Sequence, residues 1–287
     1  MGSSGFGGPD LEQNDYASSK AVVIPVPYDG TVSWRTGSRE GPAAILAASN
    51  NMELFDEDLK REPAEVGIAT LEPVEPDARG PEQMVAAIAK CCAGPVSDGK
   101  FVVGLGGEHT ITLGLLEPQA ELYSGSLSVL QIDAHADLRN TYQESKYSHA
   151  CVMRRALDKC PVVGVGIRSF CREEYKFMKE SGLQPFGMEV IRSRKNWISQ
   201  VVERLSEHVY VTIDLDGLDP SVCPGVGTPE PGGLDWVQVN RLLKTVFSKR
   251  QVVGADVVEC LPLPGQVQTE FLAARLVYKM IGYRFTE

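Results

Sequence analysis

The chain has no C-x-x-C pair, no two adjacent histidines, no excess of positive charge and no long apolar run. Each absence removes a class of protein. Its seven cysteines are odd in number and scattered, so neither a disulfide framework nor a zinc finger is encoded; reduced, buried thiols are expected. Runs such as "AVVIPVPY" fall far short of the about 20 apolar residues a membrane-spanning helix needs. Lys and Arg total 28 against 38 Asp and Glu, giving a net charge of -10. That balance excludes a nucleic-acid partner, which needs basic patches. The opening "MGSSGFGGPD" has neither the basic nor the apolar region of a signal peptide and is read, through residue 20, as a flexible N-terminal segment. A cytoplasmic protein without a membrane partner is expected. Histidine is scarce too, at four residues, which makes the placement of each one informative.

What the chain does have is 43% hydrophobic residues over 287 positions, enough for one large core. Near-continuous apolar runs at Ala21–Val26, Phe101–Leu105, Leu127–Ile132, Val162–Val165, Val209–Ile213 and Val252–Val258 read as strands covered on both faces. Between them, helical patterns are expected over Pro81–Cys92, Thr110–Leu116, His149–Lys159, Arg172–Ser181, Trp197–Glu207, Asp235–Ser248 and Thr269–Ile281. The alternation predicts an α/β fold with a mostly parallel sheet, as a single domain over residues 21–287.

In such sheets ligands bind beyond the carboxyl ends of the strands. Four runs end in chemistry-bearing residues: Gly106-Gly107-Glu108-His109, then Asp133, His135 and Asp137 in "IDAHAD", then Asp214, Asp216 and Asp219 in "IDLDGLDP", then Glu259. Side chains two apart on an extended chain face the same way, so Asp133, His135 and Asp137 converge if the extension persists, as do Asp214 and Asp216. Crowded carboxylates repel one another unless cations compensate them. Four aspartates from this set balance two divalent ions. Six side chains suffice only if some bridge, and Asp133 and Asp214 are the natural bridges. Oxygen donors with two imidazoles suit Mn²⁺ better than structural zinc. Such a pair lowers the pKa of a water held between the ions. His208, at a helix-to-strand junction, reads as structural.

"LGGEH", "IDAHAD" and "VTIDLDGLDP" resemble, in order, the signature segments of the ureohydrolase family of arginases and agmatinases. "PVPYDGTVSWRTGSREGPAAIL", "SHACVMRR", "PGVGTPEPGGL" and "DVVE" extend the resemblance across residues 21–283, on the agmatinase side. The resemblance implies a three-layer αβα sandwich around an about eight-stranded, mostly parallel sheet. It implies two Mn²⁺ per chain, one held by His109, Asp133, Asp137 and Asp214 and the other by Asp133, His135, Asp214 and Asp216. It implies a homo-trimer or homo-hexamer. Thr212 stands where the family often has Ser, and Glu108 where many members have Asp.

The resemblance further implies cleavage of a guanidino group to urea and a primary amine. Glu259 holds the guanidinium, Asp137 orients the nucleophile and His149 shuttles a proton to the leaving amine. The stretch "RNTYQESKYSHAC" lacks the S-G-N-x-H-G pattern with which arginases grip an amino-acid head group. Agmatine, yielding putrescine for polyamine biosynthesis, is therefore the leading substrate, with guanidinobutyrate, aminopropylagmatine and arginine as alternatives. Tyr142, Asp219 and Trp34 are candidates to contact the substrate's far end. Zinc deacetylases on the related fold carry paired histidines, which are absent here. A two-metal phosphoesterase needs a cationic phosphate clamp, and no P-loop is present. A non-catalytic relative is the remaining rival, against which stand all six ligands, His149 and Glu259.

Overall fold

A computed structural model of the chain describes residues 5–11 and 14–286. Seven strands form one all-parallel sheet: β1 (Ala21–Val26), β2 (Ile68–Thr70), β3 (Phe101–Gly106), β4 (Leu127–Ile132), β5 (Val162–Val165), β6 (His208–Asp214) and β7 (Gln251–Val258). Their spatial order is β2-β1-β3-β7-β6-β4-β5. The four strands whose ends carry the motifs, β3, β7, β6 and β4, are thus contiguous at the centre of the sheet. Every residue of β3 and β4 is buried, as expected for strands covered on both faces.

Nine α-helices flank the sheet among the described residues: α1 (Gly41–Ser49), α2 (Pro81–Ser97), α3 (Thr112–Leu122), α4 (Val152–Ala156), α5 (Arg172–Ser181), α6 (Met188–Ser193), α7 (Trp197–Arg204), α8 (Trp236–Lys249) and α9 (Gln268–Arg284). Side chains of α1 and α6–α9 pack into the core on one face, with Ile45, Trp197, Leu242 and Leu276 buried there. Those of α2–α5 fill the other, around Met84, Ile88, Leu116 and Met178. The result is the three-layer αβα sandwich. No described helix is long and apolar enough to cross a membrane.

The sheet has seven strands among the described residues rather than about eight. β2 escaped the sequence pattern because three residues are too short to show a periodicity. α2 and α3 run on through Pro95 and Pro118, beyond the ends expected at Cys92 and Leu116. Both prolines are buried, so packing outweighs the backbone bond each one forgoes. The segment expected to be helical from Thr110 begins instead with a 3₁₀ turn at His109–Ile111, and the one from His149 with another at His149–Cys151. α1 and α6 were not anticipated. In the N-terminal segment expected to be flexible, residues 1–4 and 12–13 lie outside the described ones, while Phe6 and Leu11 are buried in the core.

The turn after β3 shows why its glycines are there. Gly107 donates to the Val26 carbonyl at 2.9 Å and its own carbonyl accepts from Glu259 N at 2.7 Å, while Glu108 N reaches Tyr28 O at 2.8 Å. A Cβ on Gly107 would sit 1.9 Å from Tyr28 O, which is backbone and cannot step aside. Gly107→Ala is therefore expected to cost about 3 kcal/mol, at the upper end of overpacking penalties. Urea unfolding measures this, and a loss below about 0.5 kcal/mol would show that the turn is not pinned as described.

Candidate metal centre

The strand order brings His109, Asp133, His135, Asp137, Asp214 and Asp216 to one cluster. His109 Nδ1 lies 3.2 Å from Asp133 Oδ2, 3.0 Å from Asp137 Oδ2 and 3.4 Å from Asp214 Oδ2. His135 Nδ1 lies 2.9 Å from Asp216 Oδ2 and 3.8 Å from Asp133 Oδ1. Ligand atoms of His109, Asp133 and Asp214 fall within 4.8 Å of one another, as do those of Asp133, His135 and Asp216. Asp133 is common to both groups, whereas Asp214, the other bridge expected, falls in the first alone.

Convergence is not reached by simple alternation. β4 ends at Ile132, the backbone bends at Ala134, His135 bridges to Ser169, and the chain then turns at Asp137, whose φ is 51°. Non-glycine residues enter this left-handed region at a cost of about 1–3 kcal/mol, and Asp is among those that tolerate it. The turn is held from outside: Asp137 O accepts from Met153 N and Arg154 N at 3.0 and 3.1 Å, and Leu138 N donates to the buried Glu174 at 2.9 Å. Glu259 has the same strained backbone, with φ 64°. Both strained side chains line the cavity.

Electrostatics give the same picture. Burial, and then neighbouring Asp137, push Asp133 up to about 7. Burial, with Asp216 and Asp133 beside it, raises Asp214 well above the usual carboxylate range. Burial works against charge on His135, yet Asp216 and Asp133 raise it to about 11. Asp216, despite burial, is drawn down to about 2 by His135. Carboxylates that retain protons and imidazoles that refuse to lose them are the mark of missing positive charge.

The donor atoms fit a cation. His109 Nε2 sits 2.9 Å from Thr212 Oγ1, which donates its single proton to the buried Asp256 at 2.6 Å. Thr212 must then accept from Nε2–H, which in the neutral ring leaves the lone pair on Nδ1. Burial works against charge on this ring, yet Asp133, Asp137 and Asp214 facing Nδ1 raise His109 well above the usual imidazole range, so without an ion Nδ1 holds a proton. A metal ion would replace that proton and take the Nδ1 lone pair. Gln131 Nε2 donates to Asp133 Oδ2 at 2.8 Å, Ala134 N to Asp216 Oδ1 at 3.1 Å, and Thr228 Oγ1 to Asp216 Oδ2 at 3.1 Å.

A cavity of about 350 Å³ opens over the cluster, and its lining includes Trp34, Tyr142, His149, Phe170 and Glu259. Glu259 Oε1 accepts from His109 N at 2.8 Å, and Oε2 has no partner among the described residues. Burial, then Glu108 nearby, raises Glu259 to about 8. Burial lowers His149 below the usual imidazole range. Asp219 is not among the cavity-lining residues. Its Oδ1 accepts from Ser221 and its Oδ2 from Gly232 N and Gly233 N at 2.8 and 3.0 Å, so it is spent on loop closure. His208 stacks on Tyr123, with ring centroids 4.3 Å apart, far from this chemistry.

Sequence reasoning missed the supporting groups Gln131, Asp256, Thr31 and Glu174. Two of them had a signal. Gln131 interrupts the apolar "LSVLQI" and Asp256 the apolar "VVGADVV", and a polar residue inside a buried strand needs a partner.

Comparison with known proteins identifies the family. The chain is 40% identical over 275 residues to the N(1)-aminopropylagmatine ureohydrolase of Synechocystis sp., covering 93% of this chain and 90% of the relative. It is 32% identical over 280 residues to the agmatinase of Halalkalibacterium halodurans, covering 94% of each. The crystal structure of agmatine ureohydrolase of Thermoplasma volcanium superposes with a TM-score of 0.87 at 35% identity, covering 96% of this chain and 93% of that one. With the arginase family model matching residues 19–282, the chain belongs to the Arginase family.

Proposed function

We propose that this hydrolase of guanidino groups cleaves an alkylguanidine with a cationic tail to urea and a primary amine, using two Mn²⁺. The observation that carries the reading is the cluster of paired, unneutralised carboxylates beneath a cavity whose floor also holds Glu259 with one free oxygen. A guanidinium is planar, permanently charged and made only of donors, so it complements a carboxylate with one oxygen still free to accept. When bound, the ions supply a water acidic enough to act as nucleophile near neutral pH. Glu259 holds the guanidinium, and Asp137 orients the attacking water. His149, on the cavity wall, delivers a proton to the departing nitrogen, because an amide anion is a very poor leaving group. Tyr142 and Trp34 on the same wall contact the tail.

Agmatine is the shorter candidate and N(1)-aminopropylagmatine the longer. The longer is favoured by the higher identity to a relative named for it, 40% against 32% for an agmatinase. A second reading, guanidinobutyrate, is favoured by Arg35 and Arg139 in the cavity lining, which suit a carboxylate tail. Homo-trimer or homo-hexamer assembly belongs to the same proposal. It is supported by exposed Val237, Val267 and Phe271, at 60%, 69% and 38% accessibility. So does a cytoplasmic location, supported by seven free cysteines, five of them buried.

Urea release by Mn²⁺-loaded protein from aminopropylagmatine, agmatine, guanidinobutyrate and arginine tests the substrate. We expect kcat/KM for the best cationic-tailed compound to exceed that for arginine by on the order of 100-fold or more. Arginine as the best substrate would overturn the reading. His149→Asn is expected to lower kcat by about 10²–10⁴-fold with metal content unchanged; near-normal turnover would remove His149 from the reaction.

Metal loading should also change how stability responds to pH. Asp133 and Glu259 have folded-state values of about 7 and 8, and His135 of about 11, all raised above their ordinary values. A raised group stabilises fully below its unfolded value, and the contribution is lost as pH rises through the folded one. Metal-free protein should therefore melt at progressively lower temperature between pH ~5 and ~8, whereas Mn²⁺, replacing those protons, should flatten the trend. Calorimetry with and without chelator decides; a metal-free melting temperature that climbs over this window would contradict the assigned cluster.

A further inference from the structure

The signature turn after β3 carries Glu108, a buried carboxylate that takes no place among the metal-cluster residues. Its partners lie on the loop that follows β1, which the sheet places beside β3 with Val26 opposite Gly106. Glu108 Oε2 accepts from Thr31 N at 2.8 Å and Oε1 from the Thr31 hydroxyl at 2.7 Å. On its other side the same hydroxyl lies 3.1 Å from His149 Nδ1, and it accepts from His149 N at 3.0 Å.

A threonine hydroxyl has one proton and two lone pairs. The short contact to the Glu108 carboxylate takes the proton, in preference to Thr110 Oγ1 at 3.4 Å. One lone pair receives His149 N–H. The other must then receive a proton from the imidazole, so Nδ1 is the protonated ring nitrogen. Among the described residues, Nδ1 has one further hydrogen-bond contact, Ser148 Oγ at 3.4 Å. Nε2 has no hydrogen-bond partner among the described residues, and His149 lines the cavity. Tyr142 meets the ring edge-on, with centroids 5.9 Å apart.

We propose that Glu108, acting through the Thr31 hydroxyl, is the positioning residue that fixes His149 as the Nδ1–H tautomer, with the bare Nε2 facing the substrate. The inference rests on the proton-shuttle role proposed above for His149 and supplies the orientation which that role requires. In the other tautomer Nε2 would already carry its hydrogen and could not accept a proton to pass on. Glu108 and Thr31 are not among the cavity-lining residues; they act through His149, by its ring and its backbone N–H. The pairing spans 77 residues of sequence between Thr31 and Glu108, and a further 41 separate Glu108 from His149.

The test compares Thr31→Val, which keeps the shape and deletes the hydroxyl, with Thr31→Ser, which restores it. In Mn²⁺-loaded protein, Thr31→Val should lower kcat for the best guanidino substrate on the order of 100-fold, with KM and metal content unchanged. Thr31→Ser should return kcat to within about threefold of the parent, a rescue that a purely structural role for the methyl group would not produce. ¹⁵N spectra of the His149 ring in protein loaded with diamagnetic Zn²⁺ give a readout independent of turnover. The parent should show protonated Nδ1 and bare Nε2, and both Thr31→Val and Glu108→Gln should lose that preference. A parent ring protonated at Nε2, or equal kcat for the valine and serine variants, would overturn the proposal. Absence of urea from every guanidino compound, with the ¹⁵N pattern as expected, would sink the proposed reaction and leave the tautomer assignment standing.

Discussion

The site is governed by one electrostatic constraint. Four carboxylates and two imidazoles are held together where water is largely excluded, and they repel one another unless positive charge sits between them. Asp133, Asp214 and Asp216 are almost fully buried. Burying an ionised carboxylate is costly, and the ordinary remedy is to take up a proton. Protons held on the carboxylates and imidazoles relieve that repulsion, and His109 holds one against burial because three carboxylate oxygens face its Nδ1. Divalent ions would take the place of those protons. The backbone strain at Asp137 and Glu259 follows from the same requirement, since each residue must turn its carboxylate inward at the point where a strand has ended.

Much of this was legible in the sequence. Buried parallel strands read as continuous apolar runs, so six of the seven strands were located, and the residues beyond them include the five of the two ligand groups and Asp137 beside His109. Alternation ends with β4 at Ile132, and Asp133 and His135 meet across a bend at Ala134. It did not place Asp137, because a left-handed φ leaves no periodic trace when the residue is not glycine. Asp219 shows the reverse error. It continues the motif "DLDGLD" in writing, but the chain has already entered a 3₁₀ turn at Leu215–Gly217, and the carboxylate points to the loop at Gly232 and Gly233 instead. Proximity in sequence stopped being a guide once the strand ended.

The groups that hold the ligands were harder to see, for a different reason. Glu174 reaches Leu138 from α5, and Asp256 reaches Thr212 from the neighbouring strand β7. Such partnerships depend on strand order, which a single sequence does not state. Thr31 is an extreme case, because it lies on a loop with no secondary-structure signature and becomes meaningful only when β1 pairs with β3. Pro95 and Pro118 illustrate the same limit on the fold side. A local rule ended their helices, and burial of both prolines against the sheet overrode it.

The constraint also orders the reaction. On the proposed reading, four aspartates would balance two divalent ions, and an ionised Glu259 beside them would leave the floor anionic, which favours a guanidinium over any neutral competitor. Urea carries no charge, so the attraction that draws in the substrate does not retain this product. Discrimination among guanidines must then come from the mouth, where Trp34, Tyr142, Arg35 and Arg139 lie, because every candidate presents the same head group to the floor. Arg139 packs over the Tyr142 ring, 4.9 Å from its centroid. That stacking places a fixed positive charge beside the Tyr142 ring in the cavity lining, which on the proposed reading makes tail charge and tail length the two variables on which guanidines are sorted.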